Sequence, residues 1–261
     1  MTQLIILAAG RGSRMKEFCA DQPKGELLVD GVSLIERQLK CAREIGVGSS
    51  VIVGGYKFEK LVYNAQLVVN EEYQSTNSVY SLFLAREYVK GDVIVTYADL
   101  VFSPDLFRAV QQSDKSVGIL ADTNWQDYWM WRYGNLNTDL ETFEVLGDQI
   151  ISLGTEVSSA TGITHRYVGI NKFSYDAFEL VMTFYEDCLF NHVKTGLATS
   201  VLLNISFTSF LQLLIDYNIL PIQIIECQSG WIELDTFQDF KKLNQDWCSD
   251  NSFARSRVSV G

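Results

Sequence analysis

Leu4-Ile5-Ile6-Leu7-Ala8-Ala9-Gly10-Arg11-Gly12-Ser13-Arg14 is an apolar run that breaks into a glycine turn studded with arginines, and Pro23-Lys24 follows it. The run is apolar without alternation, the pattern of a strand buried on both faces of a parallel sheet. Ligands of open α/β sheets gather at the carboxyl ends of strands, so the turn stands where a site is expected. Gly10 and Gly12 let backbone N–H groups approach phosphate oxygens with no Cβ in the way, and Arg14 and Lys24 add positive charge. Two common phosphate loops do not fit. A Walker loop requires Gly-Lys-Ser/Thr, which does not follow Gly12, and a dinucleotide fingerprint requires a small third residue where Met15 stands.

Composition narrows the alternatives. With 261 residues, 47% of them hydrophobic, the chain can bury a full core, and a single domain over 1–248 is expected. A net charge of −11 disfavours nucleic acid or an anionic membrane as partner. No apolar stretch is long enough to span a bilayer and no cleavage-type flank follows the first strand, so a cytoplasmic location is expected. Cys19, Cys41, Cys188, Cys227 and Cys248 are odd in number and lack Cys-x-x-Cys spacing, against both a disulfide framework and a zinc site. His165 and His192 are the only histidines, and neither sits in a metal or triad pattern. Chemistry dependent on an imidazole base is therefore disfavoured.

Strand-like runs at Leu4–Ala9, Ser50–Gly54, Leu67–Asn70, Val93–Tyr97 and Val117–Ala121 alternate with helical patterns at Ser33–Ile45, Ser78–Tyr88 and Pro104–Gln111. This βα rhythm predicts a layered, mostly parallel sheet. Ser33 and Glu36 have capping-box spacing, and Pro104 suits a first helical turn. The rhythm changes after the aromatic stretch Trp125 to Tyr133. Thr142–Leu146 and Gln149–Leu153 flank Gly147-Asp148 as a hairpin, followed by a strand at Tyr167–Phe173 and helices at Ser174–Glu186 and Phe207–Asp216. A strand at Ile222–Ile225 and a helix from Thr236 complete the order. The polar stretch 249–261 is expected to fray.

Two acids stand at strand ends. Asp99 closes Asp92-Val93-Ile94-Val95-Thr96-Tyr97-Ala98-Asp99, and Asp235 closes Gly230-Trp231-Ile232-Glu233-Leu234-Asp235. Such acids, with substrate phosphates, commonly hold Mg²⁺. Read locally, Asp235 fits equally an N-cap for the next helix, and Asp99 the start of a turn.

Leu7 to Arg14 with Pro23-Lys24 resembles the signature of nucleotidyltransferases that make sugar nucleotides and their relatives. Tyr73-Gln74-Ser75-Thr76-Asn77-Ser78-Val79-Tyr80-Ser81-Leu82 looks like a segment of cytidylyltransferases acting on phosphocholine, phosphonates and phosphoglutamine. Asp122, Trp125, Trp129 and Arg132 follow that group's order, as do Gly169 to Ser174, Thr208 to Gln212 and Gly230 to Asp235. The likeness covers roughly residues 3 to 245; the loop Met15 to Gln22 departs from it, being short and lacking Pro-Leu-Thr.

The resemblance implies an α/β, three-layer Rossmann-like nucleotidyltransferase fold with an added hairpin on the acceptor side. It implies CMP transfer from CTP to a small phosphate or phosphonate, with Mg²⁺, or Mn²⁺, on Asp99 and Asp235. Lys24 and Arg14 would offset the charge of the reacting phosphates. Leu7, Ala8, Ala9, Gly10, Arg11, Gly12 and Ala98 would surround the nucleotide, with Asn77 and Ser81 against the base. Asp122, Trp125, Trp129, Arg132 and Glu233 would meet the acceptor, Arg132 as a bidentate anion clamp. The aromatics Trp125, Tyr128, Trp129 and Trp131 admit two uses, a wall against an acceptor ammonium or a patch closing the core. A sugar-1-phosphate transferase using UTP or dTTP, or a silent nucleotide sensor, remains open, as does a homodimer.

Overall fold

The computed structural model describes residues 1–15, 18–190, 195–248 and 253–258. It starts with β1 (Thr2–Ala8), a 3-10 turn at Ser13–Met15, a second at Lys24–Glu26, and the short pair β2 (Leu28–Val29) and β3 (Val32–Ser33). Then come α1 (Leu34–Glu44), β4 (Ser49–Gly54), β5 (Gln66–Val69), α2 (Ser78–Leu84), β6 (Asp92–Tyr97) and β7 (Leu100–Phe102). The middle contains α3 (Pro104–Gln112), β8 (Val117–Asp122), α4 (Trp125–Tyr133), β9 (Leu140–Leu146), β10 (Gln149–Val157) and β11 (Arg166–Phe173). The last part runs α5 (Tyr175–Phe190), α6 (Thr199–Leu203), α7 (Phe207–Asp216), β12 (Gln223–Cys227), β13 (Trp231–Glu233), α8 (Phe237–Trp247) and α9 (Phe253–Val258).

Nine strands form one sheet in the order β5-β4-β1-β6-β11-β8-β12-β10-β9. β1 pairs in parallel with both β4 and β6, whereas β11 is antiparallel to β6 and β8. Six strands from β5 to β12 therefore point one way, and their carboxyl ends share an edge. The unbroken apolar reading of β1 is explained by its two faces. Leu4, Ile6 and Ala8 join one core with α1, α3, α4, α8 and α9, while Ile5 and Leu7 join the other with α2, α5, α6 and α7. The result is helix, sheet, helix.

Local signals act where they stand. Ser33 accepts from Glu36 N at 3.2 Å, but the Glu36 carboxylate pairs with Arg43, so only half of the expected capping box forms. Ser103 caps α3 with Pro104 in its first turn. The hairpin β9–β10 forms and joins the sheet edge beside β12.

The tail differs from expectation. Residues 249–252 and 259–261 lie outside the described residues, as does His192, but 253–258 are helical rather than frayed. Phe253 stacks on Trp131 at 5.4 Å and Arg257 is buried, because apolar and arginine side chains recur on the inner face of this short polar-looking stretch. No helix among the described residues is long and apolar enough to cross a membrane.

Candidate active site

The carboxyl ends of β1 and β6 open into a cleft of about 450 Å³, within the size range of small-molecule sites. One wall is the glycine turn. Gly12 has φ of +65°, and a Cβ on Gly10 would meet nothing within 4 Å, leaving that backbone open to the cleft. Leu7, Ala8, Ala9, Arg11, Arg14, Lys24 and Ala98 also line it, and Arg11 lies over the Tyr56 ring at 5.5 Å.

Lys24 and Asp99 meet through tight packing. A Cβ on Gly25 would stand 2.6 Å from Ile35 and 3.1 Å from Ala98, so glycine allows the Lys24 turn to lie on the end of β6. Beneath it, buried Gln38 donates to Tyr97 O at 2.8 Å and Leu100 O at 2.9 Å, and accepts from Thr96 Oγ1 at 2.7 Å. These bonds fix the bend that presents Asp99. The remote acids arrive by pairing: β13 runs antiparallel to β7, with Glu233 opposite Leu100, and Leu234 N donates to Asp99 O at 2.9 Å.

Lys24 Nζ consequently lies 2.7 Å from Asp99 Oδ2 and 3.0 Å from Asp235 Oδ1, and Arg14 pairs with Asp235 Oδ2. Burial opposes the lysine charge, but Asp99 and Asp235 outweigh it and hold Lys24 above its ordinary pKa. Asp235 is shifted upward by burial together with neighbouring Glu233, against the pull of Lys24. Burial also acts on Glu233, yet Arg132 and Lys24 prevail and lower its pKa. Asp235 does not cap α8; Thr236 does, in a capping box with Asp239.

Asp99, Glu233 and Asp235 have ligating oxygens within 4.8 Å of one another. An all-carboxylate set of hard oxygen donors fits Mg²⁺ or Mn²⁺ and not a soft metal. Sequence reasoning placed Glu233 with the acceptor; the pairing of β13 with β7 moves it into this cluster.

On the opposite wall, Ser81 is buried and accepts from Asn70 Nδ2 at 3.0 Å. Asn77 lines the cleft but is committed to capping α2: its Oδ1 accepts from Ser78 N at 2.7 Å and its Nδ2 lies 3.4 Å from Asn204 O. The cap competes with the expected base contact. Asn70, missed in the sequence, holds the segment by bonding Thr76, Ser81 and Glu72 N. Its signal was its place just beyond β5, at the shared edge. Tyr73, Ser78 and Tyr97 line the cleft as well.

The expected acceptor group needs correction. Asp122, Trp125 and Trp129 are buried, at 0%, 0% and 1% exposure, and line none of the cleft. Asp122 accepts from Trp231 Nε1 at 2.8 Å and from Arg257. Tyr128 is equally buried, so the core use prevails for three of the four aromatics, with Trp131 half-buried. The Arg132 side chain has 0% exposure, and its three nitrogens already donate to Glu233 and Asp239. It has no free fork for an acceptor anion. His165 lies between Thr164 and Glu226, away from the cleft.

A glycine turn, a lysine and three convergent carboxylates at the carboxyl edge of a mostly parallel sheet define a nucleotidyltransferase. The chain belongs to the family of MobA-like NTP transferase domains, which it matches over residues 4–135. It is 30% identical to CTP:phosphoglutamine cytidylyltransferase of Campylobacter jejuni over 254 residues, 91% of this chain and 97% of that protein. Choline-phosphate cytidylyltransferase of Haemophilus influenzae is 38% identical over 108 residues, 40% of this chain and 46% of that one. The structure of CTP:phosphocholine cytidylyltransferase from Streptococcus pneumoniae shares the fold, with a TM-score of 0.71 at 21% identity over 94% of this chain and 98% of that one.

Proposed function

We propose that the protein is a CTP-dependent cytidylyltransferase acting on the phosphate or phosphonate of a small metabolite, in the cytoplasm. The observation that carries this is the convergence of Lys24, Asp99 and Asp235 on the glycine-turn cleft, with Glu233 within reach of the same two acids. The near full-length likeness to a cytidylyltransferase supports CTP as donor.

An acceptor oxygen attacks the α-phosphorus of CTP in line, its bond to phosphorus forms, and the bond to the bridging oxygen breaks to release pyrophosphate. A phosphate monoester has its second pKa near ~6, so its nucleophilic oxygen is already largely deprotonated at neutral pH. No general base is needed, and no histidine lines the cleft among the described residues. The protein's task is positioning and charge neutralisation. Asp99, Glu233 and Asp235 would hold Mg²⁺, which when bound neutralises charge and polarises the α-phosphoryl group. Lys24 moves from its carboxylate partners onto the α-phosphoryl and acceptor oxygens. Arg14 and the amides of the Gly10–Gly12 turn bind the departing pyrophosphate, and Ser81 supplies a hydroxyl to the base.

Pyrophosphate release, measured across four NTPs and a panel of phosphonates, phosphocholine, phosphoethanolamine, phosphoglutamine and sugar-1-phosphates, tests the proposal. CTP with a phosphonate or phospho-metabolite should give the fastest turnover, and none should occur in excess EDTA. Faster turnover with UTP or dTTP and a sugar-1-phosphate would assign the chain to the sugar-nucleotide branch. No turnover with any pair, alongside tight nucleotide binding, would make it a sensor.

A further inference from the structure

Three carboxylates within 4.8 Å of one another repel, and something must hold them in register. Lys24 acts from the cleft side. From the protein side the only cation bonded to Glu233 among the described residues is Arg132, whose Nη1 donates to Glu233 Oε2 at 2.7 Å. Its other two nitrogens, Nε and Nη2, form a fork on Asp239 Oδ1 and Oδ2 at 2.9 and 2.8 Å. Asp239 Oδ2 also accepts from the backbone N–H of Asp235 at 3.0 Å and of Thr236 at 2.7 Å. Two of the three acids thus hang from one buried fork, Glu233 by its side chain and Asp235 by its backbone.

A helix cap does not account for this. Thr236 and Asp239 complete the capping box of α8 without any arginine. Charge gives the reason for two partners. Paired with Arg132 alone, the Glu233 carboxylate would have its charge offset by the guanidinium, and the neutral pair would attract a divalent cation weakly. With Asp239 taking the fork, most of the arginine charge is matched inside the protein, so Arg132 orients Glu233 while leaving it anionic toward the cleft. Tyr128 secures the backbone of the same residue, its hydroxyl accepting from Glu233 N at 2.9 Å and lying 3.1 Å from Glu233 O.

We propose that Arg132 and Asp239 are a positioning pair that sets the spacing and orientation of Glu233 and Asp235 for the divalent cation. The assignment rests on the cytidylyl-transfer proposal, since that chemistry is what the carboxylates serve. It replaces the acceptor clamp with a device one layer behind the reacting groups.

The test compares Arg132→Lys and Asp239→Asn with wild type. Mn²⁺ is titrated calorimetrically into protein saturated with CTP in the absence of acceptor, and pyrophosphate release gives kcat and KM separately. Both variants should bind Mn²⁺ roughly 10–100-fold more weakly and lose kcat by a similar factor, with acceptor KM nearly unchanged. Introducing Arg132→Lys into a Glu233→Gln background should produce a smaller further loss of Mn²⁺ affinity than in wild type, because part of the arginine's effect runs through that carboxylate and the rest through Asp239 and Asp235. Thermal melting identifies folded variants, and Asp239→Asn, which keeps an acceptor for the cap, decides the matter if Arg132→Lys fails to fold. Wild-type Mn²⁺ affinity in the folded variants would overturn the proposal, as would a rise in acceptor KM alone. Absence of any turnover by wild type would sink the transfer proposal instead, and the Mn²⁺ comparison would still stand.

Discussion

Two polar clusters meet at β13, and they are built by opposite rules. In the glycine-turn cleft, Arg14 is 65% exposed at its side chain and the charged groups face open space. Behind β13, Asp122, Arg132, Asp239 and Arg257 are all buried and bonded to one another or to indole and backbone groups. Both clusters contain residues of the sequence motifs, Lys24, Asp99 and Asp235 in the first and Asp122 and Arg132 in the second. A ligand requires groups that face open space, so only the first can bind one, while the second fixes β13 and the residues just after it, which supply Glu233 and Asp235.

The sharpest way to break this contrast is to neutralise the cleft. Asp99→Asn or Asp235→Asn removes a ligand of the carboxylate set and should lower kcat by roughly a thousandfold or more, because charge at the reacting phosphorus goes unmatched. Far-UV circular dichroism and melting should stay near wild type, since both side chains face the cleft. Near-normal kcat in either variant would remove the metal proposal.

The framework cluster should respond the other way. Asp122→Ala leaves Arg257 buried without its carboxylate and Trp231 Nε1 without an acceptor, at a cost of about 3–5 kcal/mol. Urea denaturation should show that loss while the Kd for CTP is retained. A variant as stable as wild type but with a raised acceptor KM would return Asp122 to the acceptor site and erase the distinction between the clusters.

These outcomes bear on how much the sequence disclosed. The glycine turn, Lys24, Asp99 and Asp235 were legible because strand ends and glycines are local signals, and local order sets which edge they occupy. The mistaken residues were long-range cases. Arg132 and Asp122 follow the same motif order as the cleft residues, but their partners Asp239 and Arg257 come from α8 and α9, which no local pattern connects to them. The helix at 253–258 was missed for the same reason: its polarity suggested solvent, whereas Arg257 is spent on a buried acid. Gln38 escaped notice because its value lies in the two carbonyls flanking Asp99, which only the fold brings to it.

A smaller effect sharpens the cleft side. Ser81 accepts from Asn70 and lines the cleft, where its hydroxyl can donate to a ligand. Removing that hydroxyl should cost one hydrogen bond, about 0.5–1.5 kcal/mol, or roughly threefold to tenfold in affinity. Calorimetry of Ser81→Ala with CTP should show this loss, with kcat little changed. An unchanged Kd would mean that the base is read elsewhere on the wall.

The smallest effect is in neither cluster and provides the control for both. The hairpin β9–β10 touches β12 by the single register pair Gln149 with Gln223, and Asp148 in its turn helps to hold it. Asp148 accepts from Gln223 Nε2 at 2.8 Å and pairs with Lys115, and the backbone of Ile224 donates to its carbonyl at 2.9 Å. The bond from Lys115 depresses the Asp148 pKa, and the same bond raises that of Lys115. A depressed carboxylate contributes stability that is present above its unfolded pKa and lost as pH falls through the folded one; the raised lysine contributes below its unfolded pKa and loses it as pH rises through the folded one. The clasp is therefore at full strength across neutral pH and weakens at both extremes. Asp148→Ala should lower the Tm slightly at pH 7, and the gap to wild type should close as pH drops below the ordinary carboxylate range of about 4. Asp148 is half exposed, so the shift should also shrink with added salt. CTP affinity and kcat should not move, because the hairpin turn lies apart from the cleft residues. A gap that persists undiminished at low pH would show that Asp148 works through its backbone geometry in the turn and not through its charge.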